Sequence, residues 1–249
     1  MAKRVLIPIP SFDFDPTESA IPWKILNKAG VEITFATPNG SIGQCDYRML
    51  HGKGLGPLSI LLAADRTGRE AFAEMSVATE FKEPIKWSDI NPVNFDGLIL
   101  PGGHAKGMIE YLESTILQKC VSKFFELEKP VGAICHGVVL ASRNQKSDNR
   151  SVLYGRKTTA LMASQELSAW LLTCAWLGNY YRTYPKTVEA EVKSTLAYVN
   201  DFIKGPLALF RDSPENLSRG FVVRDRNYLS ARWPGDAHLF GTTFLEMLG

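Results

Sequence analysis

Cysteine is scarce in this chain of 249 residues, which contains 4 cysteines and no C-x-x-C pair. That density is far below that of a disulfide scaffold, and the spacing excludes zinc ribbons and thioredoxin-type redox motifs. No set of histidines and carboxylates has the spacing of a metal site, so we expect neither a metal nor another cofactor. The open question is which of the free thiols has a chemical role: Cys45, Cys120, Cys135 or Cys174.

An excess of charge of one sign is also lacking. The chain has 28 Lys and Arg against 26 Asp and Glu, a formal net charge of +2. This balance provides no basic surface for nucleic acid or for an anionic membrane. No apolar run approaches the roughly 18 residues of a membrane helix. The apolar stretch at residues 5–7 ends at Pro8 and is too short for a signal peptide. We therefore expect no membrane association and a cytoplasmic location with reduced thiols.

Short apolar runs alternate with helix-like segments along much of the chain. Strands are predicted at residues 3–9, 31–36, 95–100 and 130–134, with helices at 17–29 and 112–127. This order builds βαβ units, whose crossovers are right-handed. It predicts an α/β fold, a three-layer α/β/α sandwich around a mostly parallel sheet.

The remaining segments fit this pattern less regularly. Residues 38–83 are interrupted by glycines and are predicted to form an insertion or lid, with a helix at 58–75; residues 180–214 form a second irregular segment. The other predicted elements are a strand at 153–161, a helix at 166–177, a short strand at 188–192, a hairpin of 220–223 and 228–231, and a last helix at 236–248. We expect a single domain over residues 1–249.

One cysteine stands in a turn suited to catalysis. The motif GAICHG at residues 132–137 puts Cys135 between a buried strand and a helix. This pattern is typical of a nucleophile elbow, which points its side chain into the cleft beyond the strand ends. We expect the helix amino terminus to lower the pKa of the thiol. The His136 N–H and the glycine turn at 102–103 are the expected donors to an oxyanion. A buried small hydrophobe is the structural alternative for Cys135.

Four motifs are spread over nearly the whole chain: TESAIPW at residues 17–23, PGGH at 101–104, AICHG at 133–137 and SARWPGD at 230–236. In this order they resemble the ThiJ/PfpI superfamily, which has the flavodoxin-like fold of the class I glutamine amidotransferases. The adjacent Cys-His pair is most similar to the branches that contain the chaperone-type glyoxalase III proteins and the PfpI-like peptidases. The resemblance also implies a homodimer.

The resemblance implies a role for each matched residue. Cys135 is the nucleophile, Glu18 is a protonated acid hydrogen-bonded to the sulfur, and His136 is the general base or acid. In related sequences a carboxylate after the following strand orients the histidine; here that position is Ala163, so Glu166 is the candidate. Structural alternatives are a first-turn helix acid for Glu18 and a solvent-facing residue for His136. The turn residues assigned to oxyanion or substrate binding are Gly102, Gly103, His104 and Gly137, whereas His51 and His238 are expected to be structural.

These residues favour a cofactor-independent cysteine enzyme that acts on small reactive carbonyl compounds. The resemblance implies a glyoxalase III-like conversion of methylglyoxal to lactate without glutathione. A cysteine hydrolase, amidase or peptidase of the PfpI type would use the same residues and is the second hypothesis. A stress-related chaperone or redox sensor without turnover is the third. The expected ligand is therefore a small aldehyde or amide, and nucleic acid is not expected as a partner.

Overall fold

The secondary structure alternates between short strands and helices from end to end. The computed structural model describes residues 2–144 and 150–249. The strands are β1 (Arg4–Pro8), β2 (Phe12–Phe14), β3 (Glu32–Thr37), β4 (Gln44–Cys45), β5 (Ile85–Lys86), β6 (Gly97–Leu100), β7 (Val131–Ile134), β8 (Val222–Asp225) and β9 (Tyr228–Ala231). The helices are α1 (Pro16–Lys28), α2 (Tyr47–His51), α3 (Ser59–Leu62), α4 (Arg66–Val77), α5 (Thr79–Lys82), α6 (Met108–Leu112), α7 (Thr115–Glu126), α8 (Gly137–Ser142), α9 (Ala163–Leu177), α10 (Val188–Lys193) and α11 (Ala237–Leu248).

Seven strands form one sheet in the order β5-β3-β1-β6-β7-β9-β8. Neighbouring strands are parallel except for β8 and β9, which form the antiparallel hairpin that the sequence predicts. The pair β2 and β4 lies outside this sheet. Because β1, β6 and β7 are adjacent and parallel, the turns that follow them meet at one edge of the sheet.

Helices cover both faces of the sheet. The chain moves from β1 to β3 in one direction and from β6 to β7 in the other, so right-handed crossovers put α1 and α7 on opposite faces. Helix α1 packs against α4 and α11, while α7 and α8 pack on the other side against β6. Every residue of β6 and β7 is buried, which explains why these strands are apolar runs without alternation. The predicted three-layer sandwich is confirmed.

The predicted strand over residues 153–161 is wrong. This stretch is irregular, and Thr158 forms an isolated bridge with Phe202. The position beside β9 in the sheet is occupied by β8, so the stretch has no strand edge there to pair with. The apolar side chains of Val152 and Leu153 are buried in the core without joining the sheet.

The predicted short strand over residues 188–192 is instead the helix α10. The Thr187 side chain accepts a hydrogen bond from the Ala190 N–H and caps the first turn. Lys193 forms an ion pair with Glu189 across one turn. These local contacts favour the helix over a strand.

Two predicted helical segments are each interrupted by an N-cap residue, whose side chain starts a new helix. The segment 112–127 is interrupted where Ser114 accepts a hydrogen bond from the Leu117 N–H and starts α7. The segment 58–75 is interrupted where Asp65 accepts one from the Gly68 N–H and starts α4. Among the helices of the described ranges, none is long and apolar enough to span a bilayer.

Candidate active site

Three segments meet beyond the carboxyl edge of the sheet: the start of α1 and the turns that follow β6 and β7. A Cβ atom on Gly102 would lie 2.6 Å from Glu18 Oε2, 2.7 Å from the His136 nitrogen and 2.9 Å from Cys135 Cβ. Any larger residue at this position would displace the groups around it. The structure therefore brings together three of the four residues that the sequence analysis assigned to catalysis, Cys135, Glu18 and His136.

Cys135 occupies a sharp turn between β7 and α8. Its φ of 56° is in the left-handed region that L-residues rarely adopt. Its N–H still donates to the Ala231 carbonyl oxygen at 3.1 Å, so the strand pairing continues up to the turn. The side chain is 3% exposed and lies on the wall of a cavity. This is the geometry of a nucleophile elbow.

Glu18 is a buried acid in the first turn of α1. The Asp15 carboxylate caps that turn, accepting from the Thr17 N–H at 2.8 Å and from the Glu18 N–H at 2.9 Å. Burial, and then the negative charge of Asp15, raise the pKa of Glu18 well above its usual range. This direction favours the protonated form of the Glu18 carboxyl.

The Gly102 N–H donates to Glu18 Oε2 at 2.9 Å. This bond fixes the carboxyl group beside the thiol, but it also uses the Gly102 donor. We predicted that the glycine turn supplies an N–H donor to an oxyanion. The Gly102 N–H is not free for that role, because it donates to Glu18. A side-chain hydrogen bond with Cys135 lowers the pKa of Glu18 and raises that of the thiol. Because Gly102 occupies Oε2, Oε1 is the oxygen available to carry the proton.

His136 lies between the thiol and a threonine. Its Nδ1 is 3.5 Å from Cys135 Sγ, and its Nε2 is 3.2 Å from Thr183 Oγ1. The Thr183 hydroxyl donates its single hydrogen to the His104 carbonyl oxygen at 2.6 Å, so toward His136 it can only accept. Nε2 therefore carries the ring hydrogen, and the lone pair of Nδ1 faces the thiol. Burial lowers the pKa of His136 to about 3, which keeps the ring neutral.

The pKa of the Cys135 thiol is raised, contrary to our prediction. Burial is the largest cause, followed by the negative charges of Glu18 and Asp15. The His136 backbone N–H lowers the pKa but does not outweigh them. Helix α8 has only 6 residues, so its dipole is small compared with the cost of burying a charge. The thiol is the resting form, and it needs a base during attack.

Glu166 does not contact His136. It lies in the first turn of α9 and lines the cavity. Its carboxylate accepts from the Val188 N–H at 2.9 Å and pairs with Arg182 Nε at 3.2 Å. The place predicted for an acid that orients His136 is occupied by Thr183. The sequence analysis missed Thr183 because it stands in the irregular, tyrosine-rich segment, where no motif or periodicity marks it.

Of the other predicted turn residues, some line the cavity and others hold neighbouring groups in position. His104 is buried, its ring stacks on Tyr181 with 4.4 Å between ring centres, and burial lowers its pKa to about 4. Its carbonyl oxygen holds Thr183, so the backbone of His104 contributes to the site. Gly103 lines the cavity. Gly137 is the first residue of α8 and packs against the Leu100 carbonyl.

The cavity above Cys135 has a volume of about 380 Å³. Segments distant in the sequence build its walls, which are mainly apolar and include Met49, Leu61, Met162, Leu172, Leu207 and Trp233. Its polar lining residues include Asp15, Glu18 and His104, together with Arg211 and four residues of α9. Within residues 2–144 and 150–249, no three His, Cys, Asp or Glu side chains are grouped as a metal site.

The chain is similar to curated proteins that are named as glyoxalases and deglycases. The chain is 28% identical over 153 residues to the glutathione-independent glyoxalase hsp3102 of Schizosaccharomyces pombe, covering 60% of each chain. It is 25% identical over 164 residues to the deglycase TK1284 of Thermococcus kodakarensis, covering 66% of this chain and 69% of that protein. A further relative, an uncharacterised protein of S. pombe, is 29% identical over 126 residues. The matches to the two S. pombe proteins span only 60% and 46% of their lengths.

Solved structures share the fold over the full chain. Glyoxalase III from Candida albicans superposes with a TM-score of 0.65 at 17% identity, covering 98% of this chain and 97% of that one. The rapid encystment protein of Francisella tularensis superposes with a TM-score of 0.71 at 16% identity, covering 99% of both chains. The sequence model described as "ThiJ/PfpI family-like" matches residues 9–199, a range that contains Glu18, the glycine turn and the Cys135 elbow. With its elbow, its buried acid and its sandwich in this arrangement, the chain belongs to the ThiJ/PfpI-like family.

Proposed function

We propose that this protein is a glutathione-independent glyoxalase, a cysteine enzyme that converts a small α-oxoaldehyde such as methylglyoxal into a 2-hydroxy acid. The observation that carries this proposal is the position of His136 Nδ1 at 3.5 Å from Cys135 Sγ, in a site where burial raises the pKa of Glu18 and keeps His136 neutral. Proton transfer between neighbouring carbons requires such an acid and base. The relatives named as glyoxalase and deglycase support the same class of chemistry.

The first step joins sulfur to the aldehyde carbon. The thiol proton passes to His136 Nδ1 as Sγ attacks, and the carbonyl π electrons move to the oxygen. Burial disfavours an isolated imidazolium, but the negative charge that forms beside it offsets that cost. The His136 N–H, which already favours negative charge on the sulfur, donates to the developing charge. After the oxygen takes up a proton, the intermediate is a hemithioacetal.

The second step isomerises the hemithioacetal through an enediol. The C–H bond of the aldehyde-derived carbon breaks: its proton passes to a base, its electron pair forms the carbon–carbon double bond, and the ketone oxygen takes up a proton. The ketone carbon is then protonated as the hydroxyl group on the first carbon loses its proton. The first carbon loses two electrons and becomes a thioester, while the second gains two electrons and becomes an alcohol. Glu18 and His136 are the groups that exchange these protons. Water then cleaves the thioester, which releases the 2-hydroxy acid and restores the thiol. The reaction adds one water molecule and needs no external oxidant.

Amide hydrolysis is the second candidate. The same thiol and base can form an acyl-enzyme, and the cavity of about 380 Å³ accepts substrates larger than methylglyoxal. A redox sensor is less well supported, because a sensor thiol is accessible and has a low pKa. Cys135 is 3% exposed, and burial raises its pKa.

The test is lactate formation from methylglyoxal by the purified protein without glutathione. We expect turnover by the wild type and only the uncatalysed background with Cys135→Ala. Cys120→Ala is the matched control, since Cys120 is buried in α7, away from the cavity. Lactate formation that survives in Cys135→Ala would contradict the proposal. Acylation of Cys135 by an amide probe, with no lactate formed, would favour the hydrolase.

A further inference from the structure

Two side chains on the cavity wall have no part in the mechanism described above. Arg211 and Trp233 both line the cavity that contains Cys135. The guanidinium carbon of Arg211 lies 5.2 Å from the centre of the Trp233 ring, a cation–π distance. Trp233 belongs to the SARWPGD motif, which the catalytic roles leave unexplained.

Each of these side chains keeps a buried hydrogen-bond donor without a partner. Arg211 Nη1 and Trp233 Nε1 are both shielded from solvent and donate to no protein oxygen among the described residues. Arg211 Nη2 donates to the Ala63 carbonyl at 2.9 Å, and no ion pair of the described ranges includes Arg211. Unpaired buried donors are costly, and most buried polar groups in folded proteins are paired. Because both residues line the cavity and Arg211 brings a positive charge that no ion pair of the described ranges neutralises, this wall is suited to an anionic group of a ligand.

The surrounding chain holds both donors in place. A side chain at Gly235 would collide with the Trp233 ring, so the indole lies flat against that backbone. The segment that carries Arg211 is fastened at both ends to the same turn. Arg232 Nη1 donates to the Pro206 carbonyl at 2.6 Å, and the Asp212 N–H donates to the Gly235 carbonyl at 2.8 Å. Donors fixed before binding lose little entropy when a ligand arrives.

We propose that Arg211 and the Trp233 indole N–H bind a carboxylate at the far end of the substrate, so that the preferred substrate is an α-oxoaldehyde that carries a carboxylate. This inference rests on the proposed function for the reaction at Cys135. A guanidinium and one N–H match the two oxygens of a carboxylate. Asp15 on the same cavity wall repels a dianionic phosphate more strongly than a monoanionic carboxylate.

The positive charge of Arg211 acts on the carboxyl groups at the end of the cavity near Cys135. Burial raises the pKa values of Asp15 and Glu18, and the positive charge of Arg211 lowers both. Because Arg211 and Cys135 line the same cavity of about 380 Å³, one small molecule can contact both. The reaction is unchanged by the anchor: the aldehyde carbon is oxidised, the ketone carbon is reduced, and the product is a 2-hydroxy dicarboxylate.

The test compares two probes that differ only in charge, 4,5-dioxopentanoate and 4,5-dioxopentanamide. We expect the wild type to prefer the acid, and Arg211→Met to reduce the acid-to-amide ratio of kcat/KM by about thirty-fold. Trp233→Phe, which keeps the ring but removes the N–H, should reduce it by about fivefold. Arg219→Met is the matched control, because Arg219 is exposed and lies outside the cavity.

If Arg211→Met lowers kcat/KM equally for both probes, or leaves the acid-to-amide ratio unchanged, the proposed carboxylate site is wrong. Binding separates this outcome from failure of the proposed function. The unreactive ketone 4-oxopentanoate should bind the wild type more tightly than 4-oxopentanamide does in an NMR titration, and Arg211→Met should abolish the difference. If the wild type converts neither aldehyde but shows this Arg211-dependent preference, the anchor stands and the glyoxalase proposal fails. If binding shows no preference for the acid, the anchor is wrong whatever the turnover.

Discussion

At the residue scale, Cys135 carries two costs that its surroundings offset. Its φ of 56° costs an L-residue about 1–2 kcal/mol, and its thiol is buried beside carboxyl groups. Strain of this kind persists where neighbouring structure imposes it, and it is concentrated at functional sites. Because burial raises the pKa of the thiol, attack depends on a neighbour that accepts the proton. Thr183 and Asp15 control that step without being the nucleophile.

Thr183→Val removes the hydroxyl that sets the tautomer of His136. We expect kcat to fall by about tenfold to a hundredfold, because Nδ1 is no longer held as the free base facing Sγ. Thr183→Ser keeps the hydroxyl and should retain activity within about threefold. The check is steady-state kinetics together with ¹⁵N NMR of the imidazole, which shows Nε2 protonated in the wild type. Wild-type kcat with an unchanged tautomer in Thr183→Val would refute this role.

Asp15→Asn should make the thiol ionise at lower pH. Burial raises the pKa of Cys135 first, and the charges of Glu18 and Asp15 raise it further. Burial raises the pKa of Asp15 to about 6, so this charge is present above that pH. Removing a negative charge lowers the pKa of the thiol, and asparagine still caps α1. The pH profile of iodoacetamide alkylation should therefore shift downward, and a midpoint that stays in place or rises would contradict the assignment.

At the element scale, the site depends on three turns at the same edge of the sheet. Gly102→Ala places a Cβ within 3 Å of Glu18, His136 and Cys135. We expect activity to fall by about a hundredfold or more and the free energy of unfolding to drop by about 1–3 kcal/mol. Gly30→Ala is the control: it strains a left-handed residue in open space at the end of α1 and costs a comparable stability. If both variants keep full activity, the close packing around Gly102 is not required for catalysis.

The elements nearest the site are also those that the sequence predicts best. The strands before Gly102 and Cys135 are short apolar runs because both faces of the sheet are covered, and glycines mark their ends. Parallel pairing then places their turns together. The strand prediction for residues 188–192 is wrong because Val188, Ala190 and Val192 alternate with polar residues, as in a strand. Five positions are too few to distinguish a period of 2 from the helical period of 3.6. The stretch at 153–161 fails for a different reason, since β8 takes the sheet edge beside β9.

At the scale of the whole molecule, the cavity is the feature that the sequence predicts least. Met49 and Leu61 come from the predicted lid segment, Leu172 from α9, and Leu207 and Arg211 from the second irregular segment. Their meeting depends on how long connections close over the sheet, and no local pattern records it. Thr183 and Arg211 were missed for this reason. The single domain and the homodimer remain predictions.

The net charge of +2 also gives no indication of the ionisable groups around the thiol. Around the thiol the ionisable groups are mainly acidic, and burial raises the pKa values of Asp13, Asp15, Glu18 and Asp46. This local burial favours the neutral forms of His136 and Glu18, and composition alone does not reveal it.

The most direct test of the account follows the aldehyde carbon itself. Methylglyoxal labelled with ¹³C at that carbon is mixed with excess enzyme, without glutathione, and observed by NMR. The account predicts that the wild type converts the hydrated-aldehyde signal into the carboxylate signal of lactate, and that Cys135→Ala leaves it unchanged. Equal conversion by Cys135→Ala, or an unchanged aldehyde signal with the wild type, would contradict the claim that Cys135 is the nucleophile of a glyoxalase.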